Sequence, residues 1–174
     1  SSENESTITH TLNDYYGMNV SAELQGIRLN RNYGLIGAEQ HLPRFPGDTV
    51  DKQLKTADEK AMYARSGMTP GLGAWRYFAN SEKELTQKDI EREKWYIAAP
   101  TFASPGFNEH VKEYKDFYKY RKMLVLNPKA GQEVVSDIAD AGPGESTGKH
   151  LGGSPEVMNY LGIGEGPRKG AVLY

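Results

Sequence analysis

The first half of the chain shows two kinds of apolar spacing. Apolar residues alternate with polar ones at 27–29 and again at 33–35, which predicts short strands broken at glycines. Between Thr49 and Ala64 apolar residues recur at i, i+4, i+7 and i+11. This stretch is therefore predicted to be an amphipathic helix with Asp48 or Thr49 as its N-cap.

The segment SGMTPGLG (66–73) contains glycines and a proline that cannot all lie inside a regular helix. After it, strands are predicted at AWRYFA (74–79) and KWYIAAPTF (94–102). A short helix separates them, with Thr86 as N-cap and Asp89 in the capping-box position.

The last third of the chain has the clearest cap and turn residues at the ends of its predicted helices and strands. A helix is predicted within 105–121, and two strands around the turn NPKAG are predicted within 121–140. The segment 152–163 reads as a helix capped by Ser154, and KGAVLY (169–174) as a closing strand.

Composition excludes several classes of function. The net charge is −2 and no basic stripe is interleaved with aromatics, so a nucleic-acid partner is not expected. The absence of cysteine removes disulfides, thiolate catalysis and cysteine-bound zinc. No apolar run approaches the roughly 20 residues that span a bilayer, so no integral membrane segment is expected. The polar beginning SSENEST suits a secreted protein that has lost its signal, and equally a cloning boundary.

The order of elements near the C-terminus resembles the double-psi β-barrel of rare lipoprotein A, the expansins and related cell-wall proteins. The matching residues are Asp140, Gly142 and Pro143 of the D-x-G-P motif, Gly148 and Lys149 of the glycine-basic pair, and Leu151 to Ser154 before the helix. The resemblance covers about residues 73–174, with AWRYF in the place of the family's first strand.

The resemblance implies a mainly β fold with short helices. The expected architecture is a six-stranded double-psi β-barrel at 73–174, preceded by an α/β N-terminal extension at 1–72. That extension would consist of strands and one amphipathic helix, and it could pack on the barrel.

Two functional groups that the resemblance implies are missing from this chain. Gly152 stands where the family has its proton-transferring acid, and Pro100 stands where it has a histidine. Asp140 is the only family-matched carboxylate that remains. It is either a general acid with a pKa raised by partial burial, or an acceptor of backbone N–H groups in its turn.

His150 and Glu156 are the other catalytic candidates. His150 adjoins the corner glycines and could transfer a proton near neutral pH, or it could be an ordinary hydrogen-bonded histidine. Glu156 lies in the first turn of a helix, where the dipole lowers a carboxyl pKa, so a helix-stabilising role competes with catalysis.

Several side chains are candidates for binding a sugar. Eleven tyrosines and two tryptophans are present, and flat aromatic faces bind sugar rings. The candidates are Trp75, Tyr77 and Trp95, together with the polar residues Glu145 and Lys149. The aromatic residues could instead be core packing.

No metal or cofactor is expected. The four histidines lie far apart and lack the spacing of a metal-binding motif. The segment GPGESTGKHLGG is not a phosphate-binding loop, because His150 occupies the position that needs Ser or Thr.

The expected function is binding or remodelling of a polysaccharide of the cell-wall glycan kind. The expected location is outside the cytoplasm, as a secreted or periplasmic cell-envelope protein. One alternative is a lytic enzyme, of the transglycosylase or endoglucanase kind, that uses Asp140. A second is a protein-interaction or structural module in which residues 26–70 pack across the barrel groove. The missing family acid favours binding over cleavage.

Overall fold

The structure is a computed structural model that describes residues 33–64, 71–164 and 169–174. Within these residues the chain forms a closed barrel, and its strands run in the order β1-β5-β2-β4-β3-β6. The strands are β1 (Tyr33–Ala38), β2 (Tyr96–Ala99), β3 (Lys122–Asn127), β4 (Gln132–Ala141), β5 (Leu151–Gly153) and β6 (Lys169–Leu173). The pairs β1–β5 and β2–β4 are parallel and the other pairs are antiparallel. A closed six-stranded mixed barrel is compatible with the double-psi fold.

Short helices surround the barrel. They are α1 (Val50–Gln53), α2 (Ala57–Ala64), α3 (Gln87–Lys94), α4 (Val111–Tyr118) and α5 (Pro155–Tyr160). Short 3-10 turns lie at Glu82–Glu84, Thr101–Ala103 and Glu145–Thr147.

The core fills the barrel and extends to helix α5. Its largest fully buried apolar side chains are Tyr96, Ile36, Ile97, Leu151, Met158 and Leu161. Gly153 of β5 faces this core, because a Cβ there would lie 2.9 Å from Ile36 and 3.1 Å from Met158. Successive residues of a strand point to opposite faces, so the preceding Gly152 faces away from this part of the core.

Local sequence signals predict several elements correctly. Thr86 and Asp89 form a reciprocal capping box at the start of α3. The Ser154 side chain accepts a hydrogen bond from the amide of Val157, and Gly162 follows α5 with a φ of 66°. The predicted hairpin of β3 and β4 and the closing strand β6 are also present.

The predicted helix from Thr49 to Ala64 is interrupted. Thr49 does cap α1, but Leu54 is extended and ends that helix after one turn. A second cap then starts α2: the Thr56 hydroxyl accepts from the Glu59 amide, and the Glu59 carboxylate accepts from the Thr56 amide. Similarly, the helix predicted within 105–121 is limited to α4.

The strand predicted at 74–79 is wrong. A hydrogen bond from the amide of Arg76 to the carbonyl of Gly73 closes a turn there, and Arg76 has a φ of 64°, which is incompatible with a strand. The barrel instead takes strand β1 from the stretch 33–38, before residue 73. The division into units 1–72 and 73–174 stays a prediction, and the strand predicted at 27–29 lies outside the described residues.

Candidate functional site

A row of very small residues crosses four neighbouring strands and ends at Asp140. Gly37 of β1 pairs with Gly152 of β5, Gly152 pairs with Ala98 of β2, and Ala98 pairs with Asp140 of β4. We call these four residues the glycine row. Because the first three carry at most a methyl group, other side chains can lie directly against the backbone.

The side chain of Glu39 fills the space next to Gly152. A Cβ built on Gly152 would lie 2.0 Å from Glu39 Oε1, which no real side chain tolerates. Glu39 follows directly after β1, and its amide donates to the carbonyl of Gly153 at 2.7 Å, which fixes its backbone beside β5. The carboxyl of Glu39, which follows β1, thus occupies the space that a side chain at position 152 of β5 would fill.

Lys149 lies over the other glycine of the row. A Cβ on Gly37 would lie 2.3 Å from Lys149 Cδ. The lysine Nζ is 3.2 Å from Glu39 Oε1, and the two side chains are only 9% and 13% exposed. An ion pair that is almost buried therefore covers the two glycines.

The environment of Glu39 favours its protonated form more than water does. Burial raises the pKa of this carboxyl, the charge and hydrogen bond of Lys149 lower it, and the nearby charge of Asp140 raises it. The net effect is a raised pKa. Because the charge of Asp140 contributes to it, the two carboxyls lie within electrostatic reach of each other.

Asp140 is half-buried and is tied to two backbone amides. Its Oδ1 accepts from Ala74 at 2.5 Å and from Ala141 at 2.7 Å. Burial raises the pKa of Asp140, while the two amide donors oppose that rise. The turn-acceptor interpretation of Asp140 thus has a direct counterpart in the structure, and the raised pKa keeps the general-acid interpretation open.

Glu156 takes part in a second charged cluster, next to His41. The imidazole Nδ1 of His41 bonds Glu93 Oε1, and Nε2 lies 3.3 Å from Glu156 Oε1. Arg44 donates to the other oxygen of the fully buried Glu93 at 2.9 Å. Burial raises the pKa of Glu156 and the charge of His41 lowers it, with a net rise. The position of Glu156 at the start of a helix predicted a lowered pKa, but burial raises the pKa by more.

The buried hydroxyl of Tyr96 is influenced by both groups of charges. It donates to the backbone carbonyl of Gln40, between Glu39 and His41 in the chain. Burial raises the pKa of Tyr96 well above 10, and four carboxyl groups add to that rise. These carboxyls belong to Glu39, Asp140, Glu93 and Glu156.

The remaining predicted site residues lie in different surroundings. His150 is exposed, and its Nδ1 accepts from the amide of Leu35 at 3.0 Å. Trp75 belongs to the core, and Trp95 packs edge-to-face on the ring of Tyr160 at 5.8 Å. Tyr77 is half-buried and Glu145 is exposed. Of the predicted polar residues, Lys149 pairs with Glu39, and the charge of Asp140 influences the pKa of Glu39.

Sequence reasoning missed Glu39, and it considered His41 only as a metal ligand. The available signal was weak: both are polar residues directly after an alternating run, in GAEQH. Their partners lie far away along the chain, and only barrel closure brings them together. Among the described residues, no group of three or more histidines and carboxylates is arranged to hold a metal ion.

Comparison of the chain with protein-family models, with curated proteins and with solved structures found no match. Within the part of the chain that the structure describes, no helix is long and apolar enough to cross a membrane.

Proposed function

We propose that this protein binds and remodels a polysaccharide, of the cell-wall glycan kind, outside the cytoplasm. The glycan lies over the charged side chains of the glycine row, which are Glu39 and Lys149 above its buried glycines and Asp140 at its end. The proposal continues the resemblance to rare lipoprotein A and the expansins, whose barrels carry such activities, and the closed mixed barrel is compatible with it.

The observation that carries the proposal is the arrangement of three charged side chains along the glycine row. Glu39 and Lys149 lie over its first two residues, and Asp140 is its last residue, within electrostatic reach of Glu39. Sugar hydroxyls are recognised by charged and polar side chains that accept or donate hydrogen bonds, and carboxylates are frequent acceptors. Carboxyls whose pKa is raised by burial often occur at functional sites.

A second candidate is cleavage of the glycan, with Asp140 as the proton-transferring group. The raised pKa of Asp140 favours it, since a group that gives or takes a proton in the reaction works best with a pKa near the working pH. Asp140→Asn keeps an oxygen that can accept from Ala74 and Ala141 but cannot transfer a proton. We expect this variant to lose lytic activity while keeping the fold.

The experiment incubates the protein with insoluble peptidoglycan, cellulose and chitin, and scores the sedimented protein and the soluble sugar product separately. We expect the protein to sediment with at least one of the three. Asp116→Asn is the matched control, because Asp116 is an exposed carboxylate of α4. Protein that stays in the supernatant with all three glycans would contradict the proposed function.

A further inference from the structure

We propose that Glu39 is the catalytic acid of this site, held by Lys149 in the space that Gly152 leaves open. The inference rests on the proposed function, because it names the group that would act on the bound glycan. It makes the protein a glycan-cleaving enzyme and not only a binding module.

The first support is steric. A Cβ on Gly152 would lie 2.0 Å from Glu39 Oε1, so the carboxyl can keep its present position only while residue 152 has no side chain. Gly152 has no left-handed backbone angle that would require glycine for its own conformation. The missing side chain therefore serves the placement of Glu39, at the end of a row that leads to Asp140.

The second support is how Glu39 is fixed. Lys149 contacts its Oε1, and the lysine itself packs over Gly37 and reaches the carbonyl of Ala38 at 3.5 Å. A carboxyl that is paired and enclosed in this way has little rotamer freedom, which suits a group that must present a proton in one direction. Lys149 is a positioning residue in this arrangement.

The third support is a division of labour between the two carboxyls. Asp140 accepts two backbone amides, and such bonds stabilise a carboxylate. The Glu39 carboxyl instead faces the ammonium group of Lys149, so the two carboxyls have different hydrogen-bond partners. Two carboxyls in different surroundings are the usual arrangement for an acid and its partner base in glycan cleavage.

The proposed cleavage uses one O–H group for each glycosidic bond that breaks. Protonated Glu39 gives its proton to the glycosidic oxygen, and the carbon–oxygen bond breaks with its electron pair going to that oxygen. An O–H group, from water or from the sugar itself, adds to the anomeric carbon, and its proton passes to Asp140. Exchange with solvent then returns both carboxyls to their starting states.

The test compares the wild type with Glu39→Gln in the sedimentation and product assay. General acid catalysis contributes about 100-fold to 10,000-fold, so we expect at least a 100-fold loss of soluble product. The sedimented fraction should change less than about twofold, because Gln still accepts from Lys149. Glu113→Gln on the exposed face of α4 is the control and should keep full product release.

Two further variants separate catalysis from folding. Gly152→Ala leaves Glu39 chemically intact but displaces its carboxyl, so it should lose product as Glu39→Gln does. The double variant Glu39→Ala with Gly152→Asp supplies a carboxyl from the other strand into the same space, and we expect it to recover at least tenfold over Glu39→Gln.

The outcomes distinguish the two proposals. A wild-type protein that sediments with a glycan but releases no product, or equal product from Glu39→Gln, would overturn the role of Glu39 and leave binding intact. A wild-type protein that binds none of the glycans would overturn the proposed function itself.

Discussion

At the residue scale, Asp140 joins two segments of the backbone. Its Oδ1 connects the end of β4 to the segment around Ala74, which is distant along the chain. The sequence left two interpretations of Asp140 open, and one of them was that it accepts backbone amides in its turn, as Asp commonly does. It could not predict the Ala74 partner, since that contact depends on the tertiary fold.

Asp140→Ala and Asp140→Asn should therefore differ in stability. Alanine leaves two amides without their acceptor, which costs about 1–3 kcal/mol for each buried unsatisfied group. Asparagine should cost less, since its carbonyl oxygen can replace Oδ1. Urea unfolding of the two variants measures the difference, and equal stabilities would contradict the anchoring role.

His41 makes the stability depend on pH. Burial would lower the pKa of His41, but the hydrogen bond and charge of Glu93 and the charge of Glu156 raise it above 6.5, against a smaller effect of Arg44. The folded state thus binds this proton more tightly than the unfolded chain does. The resulting stability is fully present below pH 6.5 and is lost as the pH rises through the raised pKa.

We expect the free energy of unfolding to fall as the pH rises from 6.5 through the raised pKa of His41, and His41→Gln to flatten this fall. The raised pKa values of Glu39, Asp140 and Glu156 act in the same direction from a lower starting pH. His110→Gln is the control, because His110 is exposed. An undiminished slope in His41→Gln would contradict the assignment.

At the element scale, caps and turns were predictable and short strands were not. The capping box of α3, the Ser154 cap of α5 and the β3–β4 hairpin each depend on a few neighbouring residues, so the sequence reveals them. Strand β5 has only three residues, two of them glycine, and it is stabilised by pairing with β1 and β2 and by the burial of Leu151. No local pattern predicts it.

The Ser154 cap should matter more than an ordinary cap. Its fully buried hydroxyl accepts from the amide of Val157 and donates to the carbonyl of Lys94 at 2.5 Å, so it connects α5 to the end of α3. Loss of a cap costs about 0.5–2 kcal/mol, and an unsatisfied buried carbonyl adds to that. Ser154→Ala should lower the melting temperature clearly, whereas Ser146→Ala at an exposed position should not. Equal melting temperatures would contradict this role.

At the scale of the whole molecule, barrel closure assembles the site. Glu39, Asp140 and Lys149 come from separate parts of the chain, and they lie along one row because β5 pairs with both β1 and β2 and β2 pairs with β4. The sequence predicted a barrel and a missing acid at Gly152. It could not predict that a carboxyl from the end of another strand fills that space, because the residues next to Glu39 in the sequence do not indicate its contact with Gly152.

The most direct test of the central claim is a nuclear magnetic resonance titration of the labelled protein with a soluble oligosaccharide of the glycan that it sediments with. If the glycan binds against the glycine row, the largest amide shift changes will fall at Ala98, Gly152, Ala141 and Ala74. Saturating oligosaccharide that leaves these amides unchanged, or that shifts only the residues of α4, would contradict the account.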